Sequence, residues 1–155
     1  MDKGLQIRAA HADDASAISD VIVTALRESN AKDYPPAVIE RIEQNFSPTA
    51  VLALIGRRKV FVAVSGRRVI GTASLEGDVV RTVFVSPASQ GQGVGRRLMA
   101  AVEDSAREVG METLSVPSSV TAEQFYAGLG YRAIRESYHG EERTIIMQRH
   151  LVPKD

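Results

Sequence analysis

The chain of 155 residues weighs 16.8 kDa, the size of one ordinary domain, and 44% hydrophobic with 25% charged residues is the make-up of a chain with a proper core. Lysine plus arginine and aspartate plus glutamate both number 19, so there is no surplus of positive charge to bind nucleic acid or an anionic membrane surface. With no cysteine, disulfides, thiolate metal sites and cysteine nucleophiles are excluded. His11, His139 and His150 lack ligand spacing, so no metal site is expected. No apolar run nears the roughly 20 residues of a membrane span, and the polar start Met1-Asp2-Lys3-Gly4 has no signal-peptide apolar stretch. The expectation is one soluble, cytoplasmic domain over residues 1–155, with its core at about residues 5–150.

Leu5–Arg8 reads as a short strand. Asp13 or Asp14 then caps a helix whose stripe is Ala15, Ile18, Val21, Ile22, Ala25 and Leu26. Pro35-Pro36 opens a second helix with Val38, Ile39, Ile42 and Phe46 on one face, ended by Ser47-Pro48. Val51–Ile55 is too short to assign. Val60–Val64, Val69–Leu75 and Val79–Val85 follow as an antiparallel meander, turned at Ser65-Gly66-Arg67-Arg68 and Gly77-Asp78.

The pattern then changes to strand–helix–strand. A helix carries Val94, Leu98, Val102, Ala106 and Val109 on one side and stops at Gly110. Thr113–Val116 is a short strand closed by Pro117, and Thr121 with Gln124 has capping-box spacing for a helix ending at Gly130. Tyr131–Tyr138 and Arg143–Gln148 form a hairpin around Gly140. The fold class is α/β (α+β), with a mixed, mostly antiparallel sheet, one parallel crossover and about four helices. The strand edges of the late hairpin make a homodimer conceivable.

The stretch Val85-Ser86-Pro87-Ala88-Ser89-Gln90-Gly91-Gln92-Gly93-Val94-Gly95-Arg96-Arg97 leaves a strand and enters a helix. Its alternate glycines bare the backbone amides, and the first helical turn offers unpaired N–H groups at the positive end of the dipole. Together with the two arginines, this predicts a phosphate or pyrophosphate site between Gln90 and Arg96. The competing reading is that the glycines only permit close helix–strand packing. No Gly-Lys-Ser/Thr follows, which excludes a P-loop, and Gly-x-Gly-x-Gly is not the dinucleotide spacing.

Gln90-x-x-Gly93-x-Gly95 after Val85-x-Pro87 resembles the acyl-CoA pyrophosphate loop of the GNAT superfamily of N-acetyltransferases. Ala122-Glu123-Gln124-Phe125-Tyr126-Ala127-Gly128-Leu129-Gly130-Tyr131 is similar to that family's Ala-x-x-Phe-Tyr-x-x-x-Gly-Phe/Tyr segment. The similarity is strongest over residues 79–131. It implies a GNAT-like fold that binds acetyl-CoA, with no metal, and passes acetyl directly to a primary amine of a small molecule or peptide.

By the same resemblance, the backbone of Val83, Phe84 and Val85 lies along the pantetheine arm. The amides of Gly91, Gly93, Gly95 and Arg96 meet the pyrophosphate, Gln90 shapes the start of the loop, and Gln92 and Val94 complete it. Tyr126 takes the position of the general acid that protonates the departing thiolate; the alternative is a packing role beside Phe125 and Leu129. Ser119 stands where many relatives carry an asparagine, as a hydroxyl donor or a helix cap. The proton acceptor is open among Glu28, Glu76, Asp78 and a chain of waters. Asp33 and Tyr34 are candidates to hold the amine or to form a turn. His139, at the hairpin tip, and Arg57-Arg58-Lys59 read as solvent-facing. A CoA-binding sensor or assembly module without strong catalysis is the alternative function.

Overall fold

A computed structural model describes residues 4–140 and 142–152; the polar start Met1-Asp2-Lys3 lies outside them. Seven strands form one sheet: β1 (Leu5–Ala9), β2 (Lys59–Ser65), β3 (Arg68–Glu76), β4 (Val79–Val85), β5 (Thr113–Ser119), β6 (Arg132–His139) and β7 (Glu142–His150). Their spatial order is β1-β2-β3-β4-β5-β7-β6, antiparallel throughout except for β4 with β5. The helices are α1 (Ala15–Glu28), α2 (Pro36–Gln44), α3 (Pro48–Arg57), α4 (Val94–Glu108) and α5 (Glu123–Gly128).

The period of two along β2 divides the core. Val60, Val62 and Val64 join Ile18, Ile22 and Leu26 of α1 and Val38, Ile39 and Val51 of α2 and α3 in one cluster. Ala63 belongs instead to the cluster with Ala73, Leu98, Val102, Leu114 and Tyr126, beneath α4 and α5. β3 is covered on both faces and is buried from Ile70 through Leu75. Gly71 lets α4 settle on it, since a Cβ there would come within 2.9 Å of Leu98 Cδ1. The β6 edge carries Arg132, Arg135 and Glu136 around the exposed Ile134 and Tyr138, a charged edge of the kind that discourages strand addition.

Several expectations need correction. Residues 48–57 are a helix: Ser47 accepts from the Ala50 N–H at 3.2 Å with Pro48 at the first helical position, so Ser47-Pro48 starts α3, while α2 has already ended at Gln44. The helices therefore number five among the described residues. β5 runs through Pro117 to Ser119. Asp14 precedes α1 without capping it: its carboxylate takes both Arg8 guanidinium nitrogens, at 2.8 and 3.1 Å, and the His11 N–H at 2.6 Å. These bonds, that of Arg8 foremost, hold its pKa below the usual carboxylate value.

Candidate active site

β4 and β5 are registered at a single pair, Val79 with Ser115, and then part. Beyond Val79, the β5-facing edge of β4 has no partner strand, and a cavity of about 570 Å³ opens in the gap. Its walls include Val83, Phe84 and Val85 of β4, Gln90, Gly91, Gly93, Val94, Gly95 and Arg96 of the loop and first helical turn, Ser119 at the end of β5 and Tyr126 of α5. Of the residues implied by the resemblance, Gln92 alone is not on the wall.

The loop is built to bare its amides. After a tight turn at Pro87–Ser89, Gly91 and Gly93 adopt φ of 79° and 80°, a region that disfavours side chains. The first hydrogen bond of α4 runs from the Arg97 N–H to the Gly93 carbonyl at 3.1 Å, so the amides of Val94, Gly95 and Arg96 stand ahead of the helical ladder. Gln90 ties the loop down, its Nε2 donating to the Val85 carbonyl at 3.1 Å and to Ser29 Oγ of the segment after α1 at 3.2 Å. Gly95 serves a different purpose: a Cβ there would lie 3.0 Å from Phe125 Cζ, so its lack of a side chain lets α5 approach α4.

A bulge bends β4 at the cavity. Thr72 pairs with Phe84 and Ser74 with Arg81, leaving Thr82 and Val83 opposite the single Ala73. Thr82 has φ of 56°, a strained conformation for a β-branched residue. Two bonds hold it there. Ser74 Oγ donates to the Arg81 carbonyl at 2.6 Å, and Arg58 Nη1 donates to Thr82 Oγ1 at 3.0 Å.

Tyr126 is 4% exposed, with its ring edge-on to Phe125 at 5.2 Å and to Tyr131 at 5.8 Å. Its hydroxyl has no hydrogen-bond partner among the described residues, and the side chain borders the cavity. Burial alone pushes its pKa well above the ordinary tyrosine value. Tyr131 is anchored where Tyr126 is free: its hydroxyl donates to Glu103 at 2.9 Å, and Arg149 donates to the other Glu103 oxygen at 2.9 Å. Desolvation, then the Glu103 charge, pushes Tyr131 up as well.

These two phenols, with Tyr34 raised by burial as well, weaken the fold at alkaline pH. Each has a folded pKa above its unfolded value of ~10, so the contribution is whole below pH ~10 and is lost as pH rises toward the folded value. Stability is expected to fall by about 3 kcal/mol per pH unit above pH ~10 from the pair. Urea melts between about pH 9 and 11 check this, and Tyr131→Phe should remove about half of the pair's share of the slope.

Ser119 caps the turn into α5, accepting from the Ala122 N–H at 3.1 Å, so this bond replaces the capping box expected at Thr121 and Gln124. It also lines both this cavity and a second one of about 840 Å³. The second cavity shares Asn30, Thr82, Phe84, Pro117 and Ser119 with the first, so the two meet where β4 bends. Its outer wall includes Arg41, Arg58, Arg81, His139 and Glu142.

Three sequence readings change here. Glu28, Glu76 and Asp78 are on neither wall, and Glu76 is occupied by Arg57, Arg58 and Arg81 at 3.3–3.4 Å. Tyr34 lines the second cavity, but its hydroxyl is committed as a strut, donating to the Arg143 carbonyl at 2.9 Å and accepting from the Val120 N–H at 2.7 Å, while Asp33 accepts from Thr121. Arg58, read as solvent-facing, turns inward; His139 is exposed as expected and also borders the second cavity. Only the hairpin position of His139 hinted at this placement. Among the described residues no group of three metal-ligating side chains occurs, and no helix is long and apolar enough to cross a membrane.

A split parallel pair, a glycine loop leading into a helix, and a bulge facing a two-part cleft are the arrangement that the resemblance to the acetyltransferases implies. Residues 30–149 match the family profile described as an acetyltransferase (GNAT) domain, and the chain belongs to that family. An IAA acetyltransferase of Azospirillum brasilense is 30% identical over 115 residues, covering 63% of this chain and 74% of that protein. The crystal structure of a GCN5-related N-acetyltransferase from Rhodopseudomonas palustris is similar with a TM-score of 0.91, at 24% identity over 97% of this chain and 98% of that one. The PaiA N-acetyltransferase of Thermoplasma acidophilum, in complex with coenzyme A, has the same fold with a TM-score of 0.81, at 18% identity over 94% and 98%.

Proposed function

We propose that the protein transfers acetyl from acetyl-CoA to a primary amine of a small molecule, with the first cavity holding the donor and the second the acceptor. The observation that carries this is the single registered pair between β4 and β5. Buried backbone groups seek partners, and the open edge of β4 suits an extended, amide-bearing arm entering as a further strand. The glycine loop at the end of that edge suits a diphosphate, with Arg96 adding charge.

Acetyl-CoA supplies a thioester: the amine nitrogen bonds to the carbonyl carbon as the C–S bond breaks, the sulfur gaining a proton and the nitrogen losing one. Backbone N–H groups at the bulge around Val83 donate to the carbonyl oxygen as negative charge grows on it. Tyr126 gives the sulfur its proton. Burial keeps the phenol protonated, the form from which it can donate, and also makes it the weaker acid. The proton from nitrogen leaves through the acceptor cavity, where His139 borders the route to solvent.

Incubated with acetyl-CoA and a panel of amines, the protein is expected to release free thiol only when an acceptor is present. Tight acetyl-CoA binding with no acceptor-dependent release would favour a CoA-binding module instead.

A further inference from the structure

We infer that the acceptor is an amine that also carries an acidic group, a carboxylate or a phosphate, held by Arg58 and Arg81; this rests on the acetyl-transfer reading above. The charge on the second cavity's wall points this way. Arg41 is answered there by Glu142 at 3.1 Å. Arg58 and Arg81 also line it, and they share one carboxylate, Glu76, with Arg57, at 3.3, 3.3 and 3.4 Å. Glu76 itself is off the wall, so three guanidinium groups lean on one anion and the cavity is left with positive charge.

Arg58 is the telling member. Its side chain is 11% exposed, and its Nε makes no hydrogen bond, because Glu76 lies within ion-pair range but out of hydrogen-bond alignment. That Nε faces Glu76 and is shut off from the cavity, so an acceptor's acid would meet Nη2, which makes no hydrogen bond among the described residues. Desolvation of Arg58, the largest influence on it, already lowers its pKa. A structural ion pair with Glu76 needs one arginine, not three. The position also matters, since Arg58 bonds to Thr82, the bulge residue on both cavity walls. An acid held here lies beside the point where the cavities meet, within the span of one small molecule. Phe46 and Phe84, edge to face at 6.3 Å on the same wall, suit an apolar body between acid and amine. A polycationic amine would face like charge with no unpaired carboxylate on the described wall.

The test compares L-phenylalanine with L-phenylalaninamide, and O-phosphoethanolamine with ethanolamine, as acceptors for the full chain in the thiol-release assay. The amide's amine is the less basic and so the more deprotonated near neutral pH, so a preference for the amino acid reflects binding and not nucleophilicity. At least one acid should exceed its neutral partner by about 30-fold in kcat/KM, and the arm that does so tells carboxylate from phosphate. Arg81→Met should cut that preference about 10-fold through the acceptor KM, with the acetyl-CoA Kd within about twofold; Arg58→Met, which also releases Thr82, should cut the acid-to-neutral ratio at least as much. Arg81, the more exposed of the two, keeps the test open if Arg58→Met fails to fold. Equal or better use of the neutral acceptors, or a preference that survives both substitutions, overturns the inference. If nothing is acetylated, the transfer reading fails while the site can still be judged. N-acetyl-L-phenylalanine and O-phosphoethanolamine are then titrated by calorimetry into the CoA-saturated protein. Binding of either acid that Arg58→Met abolishes supports the anion site, and no binding of either overturns it.

Discussion

Tyr126→Phe should lower kcat for acetyl transfer by about 100-fold or more, the usual reach of a general acid, while leaving the Kd for acetyl-CoA nearly unchanged. The change removes one hydroxyl that has no partner among the described residues and keeps the ring between Phe125 and Tyr131. Deleting an unpartnered hydroxyl at the cavity wall leaves nothing unsatisfied behind, so thermal stability should hold or rise slightly. This separates the two readings of the residue. A packing role predicts little change in either quantity, whereas a proton donor predicts lost turnover in a fully folded protein. Steady-state kinetics with calorimetry on the same preparation measures both, and unchanged turnover would remove Tyr126 from the chemistry.

Gly95→Val is expected to weaken acetyl-CoA binding on the order of 100-fold, equivalent to about 2.7 kcal/mol. A Cβ at this position lies 3.0 and 3.2 Å from two Phe125 ring atoms and 3.6 Å from Val85 Cγ2. The two further methyls of valine must displace Phe125, and with it the helical turn that carries Tyr126, or intrude on the cavity that Gly95 lines. Overpacking of this kind costs about 1–3 kcal/mol in stability as well. Gly95→Ala, which asks the ring to yield by only a few tenths of an ångström, should show a smaller loss in the same order. A valine variant with wild-type affinity would mean that the first turn of α4 is not part of the donor site.

Legibility in the sequence followed how local each feature is. The meander, the stripe of α1 and the β4–loop–α4 unit were readable, because β-branched runs, a 3.6-residue period and closely spaced glycines all act within a few residues. The resemblance placed Tyr126, and the structure adds that its hydroxyl is unpartnered. α3 escaped because Val51–Ile55 is an apolar run that fits strand or helix; the cap on Ser47 decides it. Pro117 misled for a physical reason. By that point β4 has parted from β5, so the strand has a ladder on the β7 side alone, and a proline facing the open side forfeits no bond.

The acceptor cavity was the least legible part. Its charged wall gathers Arg41, Arg58, Arg81, His139 and Glu142 from segments far apart in the chain. Nothing local distinguishes Arg58 from its neighbour Arg57, whose side chain is exposed, until the fold turns one inward and leaves the other out. The bulge at Thr82 likewise has no local signal, since a threonine in a β-branched run reads as ordinary strand. Its strained backbone depends on Ser74 and Arg58, which come from other elements.

The most direct measurement is an amide NMR titration of the labelled full chain with acetyl-CoA. Binding in the cleft where β4 leaves β5 predicts the largest shift changes at the N–H groups of Gly91, Gly93, Gly95 and Arg96, followed by those of Val83 to Val85. Changes confined to other parts of the chain, or a spectrum that acetyl-CoA leaves unaltered, would contradict that placement.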